Sequence, residues 1–151
     1  MASSLIKIYV HGIFHIKPTS VQMDSDDLPR IFEYIGGILK GIGSVPITVG
    51  GMSNHIHLLS SLPSTMSIAD MMRTVKAKSS KWIKSLSPAY IAFAWQDGYA
   101  AFSVSPSILE KTVDYIKNQE YHHIGRSFAD ELKIFLDAYQ ISYEEKYLLD
   151  D

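Results

Sequence analysis

The chain has no cysteine, which excludes a disulfide framework and any thiolate metal site. A metal would have to be held by nitrogen and oxygen. No apolar run is long enough to cross a bilayer, and there is no internal repeat or low-complexity stretch. A strong charge of either sign is also missing: the formal net charge is -2, which does not of itself point to a nucleic-acid binder. No secretory signal is visible, since Met1-Ala2-Ser3-Ser4 leads directly into an alternating pattern. A cytoplasmic protein without membrane association is the expectation.

What is present fits one globular domain spanning residues 1–151, with 46% hydrophobic residues to build a core. The charge is unevenly spread. Arg73, Lys76, Lys78, Lys81 and Lys84 form a basic stretch with no acid between them. From Ala129 to Asp151 there are seven acids against two lysines. The near-neutral total conceals a basic stripe and an acidic C-terminal segment.

Leu5 to Ile16 alternates and reads as a strand, with Tyr9, His11, Ile13 and His15 on one face and Ile8, Val10, Phe14 and Ile16 on the other. Lys17 to Asp27 is a polar loop. Leu28 to Ile42 has helical spacing, interrupted by Gly36-Gly37. Val45 to Gly50 is a short strand, Gly50-Gly51 a turn, and Asn54 to Leu62 the next strand. Ser67 caps a helix to about Leu86 that carries the basic stripe. Ser87 to Gly98 is a loop and Tyr99 to Ser105 a strand. Ser105-Pro106 starts a helix to about Tyr121, and Ser127 starts another to about Tyr139; Tyr143 to Asp151 adds a turn of helix or frays. The first six elements have the β-α-β-β-α-β order. This predicts an α+β, ferredoxin-like (RRM-like) antiparallel sheet with helices on one face and the other face free, plus C-terminal helices.

Asn54-His55-Ile56-His57-Leu58-Leu59 holds two histidines at i, i+2 in an apolar strand. They project from one face, close enough to share a metal ion. A single strand histidine is most often a core or surface residue with a satisfied hydrogen bond; a pair sets a metal site beside that reading. Tyr115 and Gln119 are four apart on a helix and share a face, which is also what a packed tyrosine beside a solvent-facing glutamine would give. The basic stripe reads either as a solvated face or as a phosphate-binding one.

Together, the strand HxH, the basic helix and the helical Tyr-x-x-x-Gln resemble the HUH nucleases, in which U is a bulky apolar residue, here Ile56. The chain resembles in particular the small single-tyrosine HUH transposases of the insertion-sequence 200/605 group. The resemblance runs through Tyr9-Val10-His11, Lys17, Gly51, Asn54 to Leu59, Val75 to Ser80, Trp95 to Tyr99, Phe102 to Ser105 and Tyr115 to His123.

The resemblance implies His55, His57 and Gln119 as ligands of a divalent metal, Mg2+ or Mn2+, and Tyr115 as a nucleophile that forms a 5'-phosphotyrosine link. It implies single-stranded DNA hairpins at element ends as substrate, and a bacterial or archaeal homodimer with sites formed in trans, Tyr115 meeting the HxH strand of the second chain. Apolar strand surface in excess of what so small a chain needs hints at the same dimer. Arg73, Lys76, Lys78, Lys81 and His11 are the DNA-contact candidates, His11 equally a structural hydrogen-bond partner. Trp82, Trp95, Tyr99 and Phe102 are available for stacking on bases, with core packing the simpler expectation. Free tyrosine has a pKa of about 10, so Tyr115 needs activation; His122 and His123 either help or complement a helix C-terminus. The rival expectations are a domesticated or non-catalytic single-stranded nucleic-acid-binding module and a metal-dependent phosphodiesterase in which Tyr115 is structural.

Overall fold

The structure, a computed structural model, describes residues 4–144. Strands β1 (Tyr9–His15), β2 (Pro46–Met52), β3 (His55–Ser61) and β4 (Ala100–Val104) form one antiparallel sheet in the order β2-β3-β1-β4. Helix α1 (Leu28–Gly41) joins β1 to β2, and α2 (Ile68–Leu86) joins β3 to β4. This is the ferredoxin-like α+β arrangement expected from the element order. After β4 come α3 (Leu109–Lys117), α4 (Gln119–His122) and α5 (Phe128–Ala138).

The pleat sends alternate side chains to opposite layers. On one face Val10, Phe14, Ile56 and Leu58 pack with Ile31, Ile35 and Leu39 of α1 and Met71, Met72 and Val75 of α2, all buried. The amphipathic spacing of the two helices aims their apolar stripes at this face. Ser67 Oγ accepts the Asp70 N–H at 3.0 Å and starts α2 where the sequence indicates.

The opposite face is not free. Ile13 and Phe102 pack with Phe128, Leu132 and Leu136 of α5. Leu59 and Val104 pack with Ile116, and Tyr115 and Val113 lie against the same cluster. The chain's own C-terminal helices therefore cover the strand surface that the sequence reading left open or assigned to a second chain.

Several element boundaries differ from expectation. Strand β1 starts at Tyr9, because its partners end there: Tyr9 pairs with Ser61 on one side and Val104 on the other. Leu5 and Ile6 continue the alternation but have no strand beside them, and both are exposed. The helix expected to reach Tyr121 is broken at Asn118 (φ -103°, ψ 30°), with its side-chain amide donating to the Asp114 carbonyl at 2.8 Å. Residues 145–151, where a further turn was expected, lie outside the described residues.

Two glycines bring the layers close. Gly51, paired with Ile56 near the end of β2, has φ +147°, and a Cβ there would stand 2.2 Å from the His55 carbonyl oxygen. Gly50 and Gly51 both belong to β2 rather than to the turn expected there, which falls at residues 53–54, and Gly50 pairs with His57. A Cβ on Gly50 would meet the Ile116 carbonyl oxygen at 2.7 Å. The missing side chain is what lets α3 lie against the sheet beside the histidine pair.

Candidate functional site

His55 and His57 project from β3 into the layer of C-terminal helices, and both are wholly buried. His57 Nδ1 meets Nε2 of His11, on neighbouring β1, at 2.7 Å. His55 Nδ1 meets Asn54 Oδ1 at 2.7 Å. On the far side, His55 Nε2 lies 2.9 Å from Gln119 Oε1, and His57 Nε2 lies 3.0 Å from Glu131 Oε1. Tyr115, at the end of α3, donates its hydroxyl to Glu131 Oε2, and Gln119 Nε2 donates to the same oxygen at 2.9 Å. The Tyr115 ring stacks on His122 (centroids 4.3 Å apart) and stands edge-on to Phe135 and His57.

The structure thus brings His55, His57, Tyr115 and Gln119 together within one chain. It also adds Glu131, which sequence reasoning missed. Its signal was present but faint: Glu131 falls in the apolar stripe Phe128, Leu132, Leu136 of α5, where a solvated carboxylate has no reason to be. Ser127 Oγ accepts the Asp130 N–H at 3.1 Å and sets the start of that helix, and with it the rotation that turns Glu131 inward.

The electrostatics follow from burial. Burial lowers the His57 pKa to about 4, against an opposing pull from Glu131. Burial and the neighbouring His57 take His11 down to about 3. Both rings are therefore neutral near pH 7. Burial pushes the Glu131 carboxyl up, but the surrounding His55, His57 and Tyr115 outweigh it and hold the carboxyl below the ordinary range, as an anion. Burial and the hydrogen bond to Glu131 raise the Tyr115 phenol above its usual value. In this arrangement Tyr115 keeps its proton.

The donor set fits a divalent cation. His123 Nδ1 faces the Arg126 carbonyl oxygen at 2.9 Å, which assigns the ring proton to that nitrogen. His123 Nε2 lies 3.2 Å from both Gln119 Oε1 and Glu131 Oε1. His55 repeats the pattern, with Nδ1 facing an amide oxygen and Nε2 facing the Gln119 oxygen. Imidazole nitrogens, an amide oxygen and a carboxylate oxygen gathered at one buried point are the nitrogen and oxygen donors that a divalent cation takes. Ligand atoms of His55, His57 and Glu131 lie within 4.8 Å of one another. His11 stands where an outer partner would orient the His57 ring.

His11 is buried (2% exposed) and is the hydrogen-bond partner of His57. The basic residues are not brought to the histidines. Helix α2 packs on the opposite face of the sheet. There Arg73 is exposed and pairs with Asp70 at 2.7 Å, Lys78 and Lys81 are exposed, and Lys76 donates to the carbonyls of Asp97 and Gly98 at 2.7 and 2.8 Å. Trp95 and Phe102 are core residues, Trp82 stacks on Tyr34, and Tyr99 is exposed. No helix among the described residues is long and apolar enough to cross a membrane.

Comparison with known proteins agrees with this geometry. A family model described as "Transposase IS200 like" matches residues 4–119. A candidate transposase from Deinococcus radiodurans R1, solved by crystallography, superposes with a TM-score of 0.57 at 23% identity, covering 79% of this chain and 95% of that one. A REP-associated tyrosine transposase bound to a REP hairpin superposes with a TM-score of 0.59 at 14% identity, covering 82% and 73%. Among curated proteins, none matches the chain by sequence.

Proposed function

The chain belongs to the family of IS200-like transposases, and from that premise we propose that it cleaves and rejoins single-stranded DNA, with Tyr115 as nucleophile and a divalent cation, Mn2+ or Mg2+, at His55, His57 and Gln119. One observation carries this reading: the Tyr115 hydroxyl and the Nε2 atoms of the histidine pair converge on a single buried carboxylate. Nucleophile and cation donors thus occupy one site.

When bound, a divalent cation there supplies Lewis-acid stabilisation of the scissile phosphate. Tyr115 Oη attacks phosphorus in line, forming the tyrosine–phosphorus bond while the bond from phosphorus to the 3' oxygen breaks. The phenol proton is given up and the departing 3' oxygen becomes a hydroxyl, so the exchange is balanced. The reverse attack by a 3' hydroxyl releases Tyr115 and rejoins a strand without ATP. His55, His57 and Gln119 would hold the cation, His11 holds the His57 ring, and His122 and Phe135 confine the Tyr115 ring so that its oxygen stays beside Glu131.

The hairpin held by one structural neighbour supports hairpin-bearing single-stranded DNA as substrate. Arg73, Lys78 and Lys81, being on the layer away from the histidines, are assigned to backbone contacts outside the cleavage site. The proposed place of action is the cytoplasm, on DNA. A homodimer would bring two sites, each complete in its own chain.

The test is incubation with hairpin-bearing single-stranded DNA and Mn2+, followed by a denaturing gel. A covalent protein–DNA band that disappears in Tyr115→Phe is the expected result. Cleavage without an adduct would favour a phosphodiesterase, and binding without cleavage a non-catalytic module.

A further inference from the structure

Glu131 lies beyond the residues that the transposase family model matches, yet it stands at the centre of the cluster. It is 1% exposed. A carboxylate so buried is costly without compensating partners, and among the described residues the basic groups within 4 Å of its oxygens are imidazoles. Oε1 lies 3.0 Å from His57 Nε2, 3.4 Å from His55 Nε2 and 3.2 Å from His123 Nε2. Oε2 accepts from the Tyr115 hydroxyl and from Gln119 Nε2. Oε1 therefore faces the three imidazoles, whereas Oε2 holds the nucleophile together with the Gln119 amide.

Neutral imidazoles and an amide oxygen bring no charge to a divalent cation. An anionic oxygen at the same point strengthens binding, and the imidazoles incline the site to Mn2+ rather than Mg2+, which prefers all-oxygen, water-rich coordination. Glu131 is positioned to supply that oxygen without releasing Tyr115.

We propose that Glu131 is an additional cation ligand delivered by α5, and that its second oxygen holds the Tyr115 hydroxyl beside the same cation. Metal occupancy and nucleophile position are then coupled through one side chain. The proposal rests on the metal-assisted reading above.

The probe is Mn2+ alone, without DNA. The full chain, stripped with EDTA, is titrated calorimetrically, and the tyrosine ultraviolet difference spectrum on Mn2+ addition is recorded against Tyr115→Phe. In Glu131→Gln, which keeps the shape and removes the charge, Mn2+ affinity should fall on the order of tenfold or more, and the Tyr115-dependent spectral change should be lost. Glu131→Asp keeps the charge on a shorter arm; it should lose less affinity and still lose the Tyr115 signal. Glu131→Gln affinity within about twofold of wild type, or no Mn2+ binding by the wild-type chain, overturns the proposal. If Glu131→Gln does not fold by circular dichroism, Glu131→Asp decides. Unchanged affinity with an unchanged Tyr115 signal overturns; loss of either supports. Because these titrations contain no DNA, a failed adduct assay with intact Glu131-dependent Mn2+ binding would fell the transposase reading alone.

Discussion

Tyr115 donates its hydroxyl to Glu131, sixteen residues later and on a different helix. This bond closes α5 over α3 and puts the nucleophile candidate within the cluster formed by its own chain's histidines. Several measurable consequences depend on that closure.

His55, His57, Tyr115 and Gln119 meet within one chain, so the proposed site is expected to work in cis. A His57→Ala chain mixed with a Tyr115→Phe chain should give no covalent DNA product, because neither carries both halves. A restored adduct on a denaturing gel would mean that α3 is exchanged between chains, as the family resemblance first led one to expect.

Acid should destabilise the cation-free protein. His11 and His57 have folded pKa values of about 3 and 4, below the 6.5 of the free ring. Between those values the unfolded chain binds more protons than the folded one, so stability rises with pH through that window. It is fully present above about pH 6.5 and should fall by several kcal/mol toward pH 4. Glu131, also depressed, adds a loss in the same direction at lower pH. Thermal melts in EDTA across this range check it; a flat profile would contradict buried, neutral rings.

Gly50→Ala should push α3 off the sheet. The added Cβ meets a backbone oxygen, at 2.7 Å, rather than a flexible side chain. A loss of about 1–3 kcal/mol is expected. Adduct formation should drop further than stability does, since Tyr115 precedes Ile116 directly. Denaturant melts and the adduct assay, run together, separate the two.

Lys76 and Lys81 should behave differently although they share a helix and a charge. Lys76→Ala removes two hydrogen bonds that tie α2 to residues 97 and 98, at a cost of about 1–2 kcal/mol. Lys81→Ala should leave stability within about 0.5 kcal/mol. If Lys81 touches phosphate, the salt slope of DNA binding should fall by about one. Melts and salt titrations of hairpin binding decide both.

Much of the framework was legible locally. The period of two in residues 54–62 placed both histidines on one face, and the spacing of Tyr115 and Gln119 brought both to it despite the break at Asn118. Other features are not local. Alternation continues to Leu5, but a strand needs neighbours, and β3 and β4 end opposite Tyr9. The sequence put the basic residues on α2 without revealing which side of the sheet α2 would take. Glu131 acts on His57 from 74 residues away. Helical periodicity marks its position as inward but cannot name the histidine waiting there.

The sheet's two sides are made of different materials, and this bears on how the molecule comes apart. The α1–α2 side is held by hydrocarbon, which is indifferent to protons, whereas α5 is held in part through Glu131 and the histidines. Acid should therefore release α5 as a separate unit before the α1–α2 layer opens. Hydrogen exchange at mildly acidic pH would register this as early loss of protection in residues 128–138 while β1 and β3 stay protected. Unfolding in that range would then proceed in two steps, and a single melting temperature would not describe it.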